Sequence, residues 1–164
     1  MKHDRTHGQF LDLIHKHQSI IHKICFVYCK NSADREDLQQ EIILQLWKSF
    51  PSFHGKAAFS TWMYRVALNT AINQTRRPRL FIDSSSSPEP FYDPSDAYMH
   101  SEEIRILYKA ISKLKKIEKA IMLLWLEEKS YEEIAELIGI TAKHVSVKLV
   151  RVRARLTEII SNLN

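Results

Sequence analysis

Between Phe59 and Arg77 the sequence FSTWMYRVALNTAINQTRR places the rings of Trp62 and Tyr64, the amides of Asn69 and Asn73, and the guanidinium groups of Arg65, Arg76 and Arg77 on one helical stretch. Those three kinds of side chain together suit a single strand of DNA: rings stack on or wedge between bases, amides pair with base edges, and guanidinium groups hold phosphates. Immediately upstream, the run from Asp34 to Trp47 is amphipathic and acidic. Carboxylates are poorly suited to phosphate, so that helix reads as a docking surface for a protein. A structural reading stands beside both. Trp47, Trp62, Tyr64 and Arg65 also have the character of core or framework residues, since Val66, Ala67 and Leu68 alone make a thin apolar face.

A second cluster lies near the C-terminus. Ser130-Tyr131-Glu132-Glu133 forms a capping box that opens a short helix with Ile134, Ala135, Leu137 and Ile138 on its apolar side. Gly139 permits a sharp turn, and Thr141 caps a longer helix reaching to about Leu156, with Val145, Leu149, Val152 and Leu156 as its buried stripe. Thr141, Lys143, His144, Val147, Lys148, Arg151 and Arg155 are the candidate contacts of this segment, and Arg153 adds charge to it. From Thr141 to Leu156 there are five Lys or Arg residues and no Asp or Glu, which suits insertion into a major groove. The plainer alternative is a helical hairpin with a basic solvent face.

Other chemistries find little support. No nucleophile, phosphate loop or metal set occurs at a recognisable spacing, so an enzyme is not expected, nor any cofactor. Cys25 and Cys29 are one helical turn apart with His22 nearby, but further cysteines to complete a four-ligand site are missing, so they read as small core or boundary thiols. Reduced thiols suit the cytoplasm. No apolar run approaches the roughly 20 residues of a membrane span, and the N-terminus has no apolar signal core. A soluble, cytosolic protein is expected.

The elements that must position these residues are helical. Apolar residues recur at helical spacing through most of the 164 residues, whereas strand-like alternation is missing. The expected fold is all-α: two small helical domains, residues 1–78 and 104–164, joined by a flexible acidic linker over 79–103. Phe10 to Tyr28 reads as one long helix or two short ones broken near Gln18 and Ser19. Asp34 is expected to cap the next helix, Pro51 to end it, and Ser60 or Thr61 to cap the helix that Pro78 stops. Residues 1–80 carry 12 basic and 6 acidic groups, 81–103 carry none and 6, and 104–164 carry 12 and 7. Two basic modules therefore flank an acidic connector too polar and too rich in Ser and Pro to fold alone.

Taken in order, Asp34-Arg35-Glu36-Asp37-Leu38-Gln39-Gln40-Glu41, then Leu44, Leu46 and Trp47, then Phe59-Ser60-Thr61-Trp62-Met63-Tyr64-Arg65 and Asn69, resemble region 2 of the extracytoplasmic-function (ECF, group 4) sigma factors in the sigma-70 family, with region 4 following at the expected place. The resemblance covers nearly the whole chain. It implies a transcription initiation factor that binds core RNA polymerase, directs it to specific promoters and promotes DNA opening. It also implies roles for individual residues. Asp34, Asp37, Gln40, Glu41, Gln45 and Trp47 resemble the surface that grips the coiled coil of the beta-prime clamp. Phe53, His54, Gly55 and Lys56, with Trp62, Tyr64, Arg65, Asn69, Asn73, Arg76 and Arg77, resemble the unit that reads the minus-10 element, Asn69 being the preferred base contact. Region 4 resembles the module that holds the minus-35 duplex and rests on the beta flap through apolar residues near Ile121 to Leu126. The acidic linker resembles the segment threaded through the polymerase cleft.

The recognition helix departs from the family. Many members carry a Gly-Thr-Val-Lys-Ser-Arg-like run where this chain has Lys143-His144-Val145-Ser146-Val147-Lys148, so minus-35 specificity does not transfer and a further recruiting factor is conceivable. An anti-sigma partner is usual in the family. The competing function is a stand-alone helix-turn-helix regulator that dimerises through its N-terminal helices and has no need of core polymerase.

Overall fold

A computed structural model describes the backbone of residues 2–74 and 101–163, with side chains from Thr6 onward. Arg76, Arg77 and most of the acidic connector lie outside the described residues. Eight α-helices occur among the described residues: α1 (Lys2–Lys16), α2 (Gln18–Tyr28), α3 (Ser32–Ser49), α4 (Phe59–Gln74), α5 (Glu102–Ile111), α6 (Lys116–Leu126), α7 (Tyr131–Ile138) and α8 (Ala142–Leu163), with a 3-10 turn over Phe50–Ser52.

Local chemistry sets most of the helix ends. The first two helices are separate and meet at His17, one residue before the expected break. Asn31, rather than Asp34, caps α3: its Oδ1 accepts the Asp34 amide at 2.8 Å, and its Nδ2 donates to Asp34 Oδ2 at 3.1 Å. Asp34 therefore sits inside the first turn, where its carboxylate also favours the positive end of the helix dipole. At α4 the first helical residue is Phe59, which places Ser60 and Thr61 in the opening turn and not at the cap. Ser130 and Thr141 cap as expected, accepting the amides of Glu133 and His144 at 3.1 Å each. Gly139 takes the left-handed conformation, φ +85°, that turns α7 into α8. The last helix runs on to Leu163, a full seven residues past the expected end.

Packing unites the elements. In the first module α3 lies against α4 and both pack on α2, burying Ile21, Ile24, Leu38, Ile42, Leu46 and Met63 completely. Each such side chain stabilises the fold by about 1.5–3 kcal/mol relative to exposure. In the second module α8 packs on α5, α6 and α7. The two modules also meet, α2 and α4 against α5 and α6. Along this seam the Tyr28 hydroxyl donates to the Lys116 carbonyl at 2.7 Å, the Lys129 ammonium donates to Thr61 Oγ1 at 2.9 Å, and Lys23 pairs with Glu127 at 3.5 Å. Lys119 stands over the Tyr28 ring, 5.1 Å from its centroid.

Candidate nucleic-acid interface

On α4 the two faces divide the labour. Met63, Ala67 and Ala71 are fully buried, while Arg65, Asn69 and Asn73, each four residues apart, form an exposed polar ribbon along the opposite side. Beside it runs a groove of about 600 Å³, walled by Glu41, Gln45 and Ser49 of α3 and by Val66, Asn69, Thr70, Asn73 and Gln74 of α4. Its walls mix the amides of Gln45, Asn69, Asn73 and Gln74 and the hydroxyls of Ser49 and Thr70 with the Glu41 carboxylate and apolar surface such as Val66. Gln45 Nε2 donates to Glu41 Oε1 at 2.9 Å, Thr70 Oγ1 donates to the Val66 carbonyl at 2.7 Å, and Gln74 Oε1 is buried with no hydrogen-bond partner among the described residues. Such a wall offers donors and acceptors together, which is what a base edge requires.

The loop before α4 is held by rings. Phe53 stacks on Phe50 at 6.4 Å and meets Phe59 at 5.6 Å and Trp62 at 5.2 Å, while Phe50 touches Phe10, which in turn touches Trp47. Ser52 Oγ donates to the Ser49 carbonyl at 2.6 Å and tightens the turn. The consequence is that His54, Gly55 and Lys56 are presented in the open on an anchored base, with Gly55 at φ +73°. Phe53 and Trp62, both expected as DNA contacts, are half-buried members of the anchor. Tyr64 lies deeper, only 2% exposed, with the Glu127 carboxylate of the other module close enough to act on its hydroxyl. Burial, with Glu127 adding to it, pushes its ionisation far above the ordinary tyrosine range. Arg65 is half-exposed and 3.8 Å from the Glu136 carboxylate of α7.

The acidic helix α3 separates into two sets. Asp37, Gln40, Leu44 and Trp47 share one outward stripe, Leu44 and Trp47 being 43% and 37% exposed. Glu41 and Gln45 turn instead to the groove and so stand beside Asn69 and Asn73. Asp34 belongs to the cap with Asn31. Ser49, Thr70 and Gln74 are not singled out by the sequence, and Leu44 enters there only through the family resemblance, although its helical spacing from Gln40 and Trp47 marks the same stripe.

In the second module α7 and α8 form the helix-turn-helix. Thr141, Lys143, His144, Val147, Arg151 and Arg155 are exposed, and Lys148 is partly so. Of the apolar run from Ile121 to Leu126, the residues Ile121, Met122, Leu123 and Leu124 are core, which corrects their expected availability to a partner; only Trp125 and Leu126 reach the surface. Trp125 carries the Arg153 guanidinium 5.1 Å from its ring centroid. Among the described residues no group of three His, Cys, Asp or Glu is placed to hold a metal ion, Cys25 and Cys29 form no disulfide, and no helix is long and apolar enough to cross a membrane.

Comparison with known proteins agrees with this geometry. Residues 13–80 match the family described as sigma-70 region 2, and residues 104–156 match sigma-70, region 4. The chain is 34% identical to the ECF RNA polymerase sigma-E factor of Haemophilus influenzae over 79% of its own length and 76% of that protein. It is 31% identical to the sigma-E factor of Escherichia coli over 74% and 71% of the two chains, and 27% identical to SigW of Bacillus subtilis over 94% and 90%. In fold it is similar to the sigma factor RpoE of Bartonella quintana, solved with the anti-sigma factor NepR, with a TM-score of 0.68 at 19% identity over 93% of this chain and 97% of that one. CnrH, solved with the cytosolic domain of CnrY, gives 0.64 at 19% identity over 93% and 88%.

Proposed function

This chain belongs to the extracytoplasmic-function RNA polymerase sigma factors of the sigma-70 family, and from that membership we propose a division of promoter and polymerase contacts among its surfaces. It is a transcription initiation factor rather than an enzyme: it works with RNA polymerase at promoter DNA. The modules are residues 1–78 and 104–164, with 79–103 as the acidic connector that follows the polymerase cleft. Asp37, Gln40, Leu44 and Trp47 form the docking face for the beta-prime clamp, supported at its edge by Asp34, Glu41 and Gln45. His54, Gly55 and Lys56 enter the opening minus-10 duplex, while Arg65, Asn69 and Asn73, continued by Arg76 and Arg77, hold the exposed strand. Phe53, Trp62 and Tyr64 act beneath them as the rigid base. The minus-35 duplex lies on Thr141, Lys143, His144, Val147, Lys148, Arg151 and Arg155, and Trp125 with Leu126 faces the beta flap.

The observation that carries this reading is the Arg65-Asn69-Asn73 ribbon beside a groove of about 600 Å³ whose lining includes the amides of Gln45, Asn69, Asn73 and Gln74. Unstacking a base costs a few kcal/mol, and a pocket offering both donors and acceptors beside phosphate-binding cations returns that cost. Control comes from a separate anti-sigma protein, by analogy with the neighbours solved with NepR and CnrY. Run-off transcription on a genomic fragment library with core polymerase tests the proposal. New start sites sharing upstream motifs are expected with the unaltered chain. Asn69→Ala is expected to bind core polymerase normally yet yield few starts, and absence of core binding by the unaltered chain would return the stand-alone regulator to favour.

A further inference from the structure

Two valines on α8 have no task in the fold. The helix buries Val145, Leu149, Val152 and Leu156. At about 3.6 residues per turn the diametrically opposite face carries Lys143, Val147, Val150 and Ala154. Val150 is 70% exposed and Val147 42%, although both modules are in place around them. Exposing such side chains on a helix contributes nothing to stability, so their use lies with what the helix meets.

The surroundings of the pair indicate what that is. Lys143, His144 and Arg151 flank the valines in the open, and no carboxylate occurs on α8 before Glu158. A cationic rim with no acidic group fits a polyanion. The valines fall in the first half of the helix, the part that meets base edges when a helix-turn-helix enters the major groove. In that groove every base presents hydrogen-bonding groups, and thymine alone adds an apolar one, its C5 methyl. We propose that Val147 and Val150 read thymine methyl groups, so that the duplex element recognised by α8 carries thymines where these two side chains land. The inference rests on the sigma factor reading of α8 and gives it a base preference.

The test uses the full chain assembled with core polymerase and a pool of duplexes randomised across the minus-35 window. Selected duplexes are expected to be enriched in thymine there. The selected duplexes are then rebuilt with deoxyuridine in place of thymine in that window, which removes the methyl and nothing else. Binding is expected to weaken about fourfold for each contacted methyl lost, the value of one buried methyl-sized group. A chain carrying Val147→Ser and Val150→Ser is expected to bind the thymine and deoxyuridine duplexes alike, with unchanged helix content by circular dichroism. Equal binding of the two duplexes by the unaltered chain would overturn the proposal and reassign the valines to a protein surface. Failure to select any duplex sequence, despite tight core binding, would overturn the duplex-reading role of α8 itself, and the methyl reading with it.

Discussion

Tyr64 separates two explanations of the aromatic run on α4, because a single oxygen distinguishes them. If the side chain is framework, Tyr64→Phe removes a buried hydroxyl that lies near the Glu127 carboxylate at the seam between the modules and leaves the buried ring in place. A buried polar contact of this kind contributes about 0.5–1.5 kcal/mol. For a chain of this size each kcal/mol corresponds to about 2–4 °C, so the midpoint of thermal unfolding should fall by roughly 1–6 °C. Glu127 keeps its pairing with Lys23 at 3.5 Å, so the variant leaves no orphaned carboxylate to inflate the loss. Two measurements decide the matter: calorimetric unfolding of the full chain, and fluorescence anisotropy of a labelled single strand carrying a minus-10 element with the core-bound factor. Reduced stability with strand affinity within twofold of the unaltered chain is expected. An unchanged midpoint together with a tenfold loss of strand binding would refute the argument and restore Tyr64 to the DNA surface.

Further consequences concern pH, the turn and the charges. Burial raises the ionisation of Tyr28, Tyr64 and Tyr108 above the ordinary value of 10.0. Raised values mean that the unfolded chain loses these protons first, so their contribution is complete below pH 10 and is lost as pH rises beyond it. The slope approaches about 1.4 kcal/mol per pH unit for each tyrosine. Urea titrations between pH 8 and 11.5 should show it, and Tyr28→Phe should make the decline shallower; an equally steep decline would contradict the assignment. Gly139→Ala forces a side chain into φ +85° and should destabilise the second module by about 1–2 kcal/mol, read as a lower urea midpoint. Arg151→Ala should reduce the slope of log affinity for minus-35 duplex against log salt by about 0.9, the signature of one lost phosphate contact. An unchanged slope would place Arg151 off the backbone.

What the sequence made legible was local. The Ser130 and Thr141 caps, the Gly139 turn and the buried stripe of α8 depend on residues within a few positions of one another, and they appear where spacing put them. Asn31 and Asp34 show the limit of that approach. Both residue types cap helices, and only the reciprocal bonds between them decide which one stands outside the helix. The seam was not legible at all, since Tyr28 and Lys116, or Thr61 and Lys129, are partners distant in sequence with no periodic signal to connect them. The same reason explains why the sequence left Tyr64 open between a framework ring and a DNA contact. Its burial depends on a second module whose docking is a tertiary event. The groove beside Asn69 was visible only in half, because the α3 side chains that wall it had been read with the docking face.

The placement of the chain's three tryptophans has a practical consequence. Trp47 sits on the outward stripe of α3 in edge contact with His7, Trp62 in the ring cluster under the loop, and Trp125 beneath the Arg153 guanidinium on the second module. Each is partly open to water, and each marks a different surface. Indole emission shifts with local polarity, so the unlabelled chain carries three optical reporters, and retaining one at a time through Trp→Phe replacement would resolve in time the order in which the proposed clamp, promoter-strand and flap contacts form.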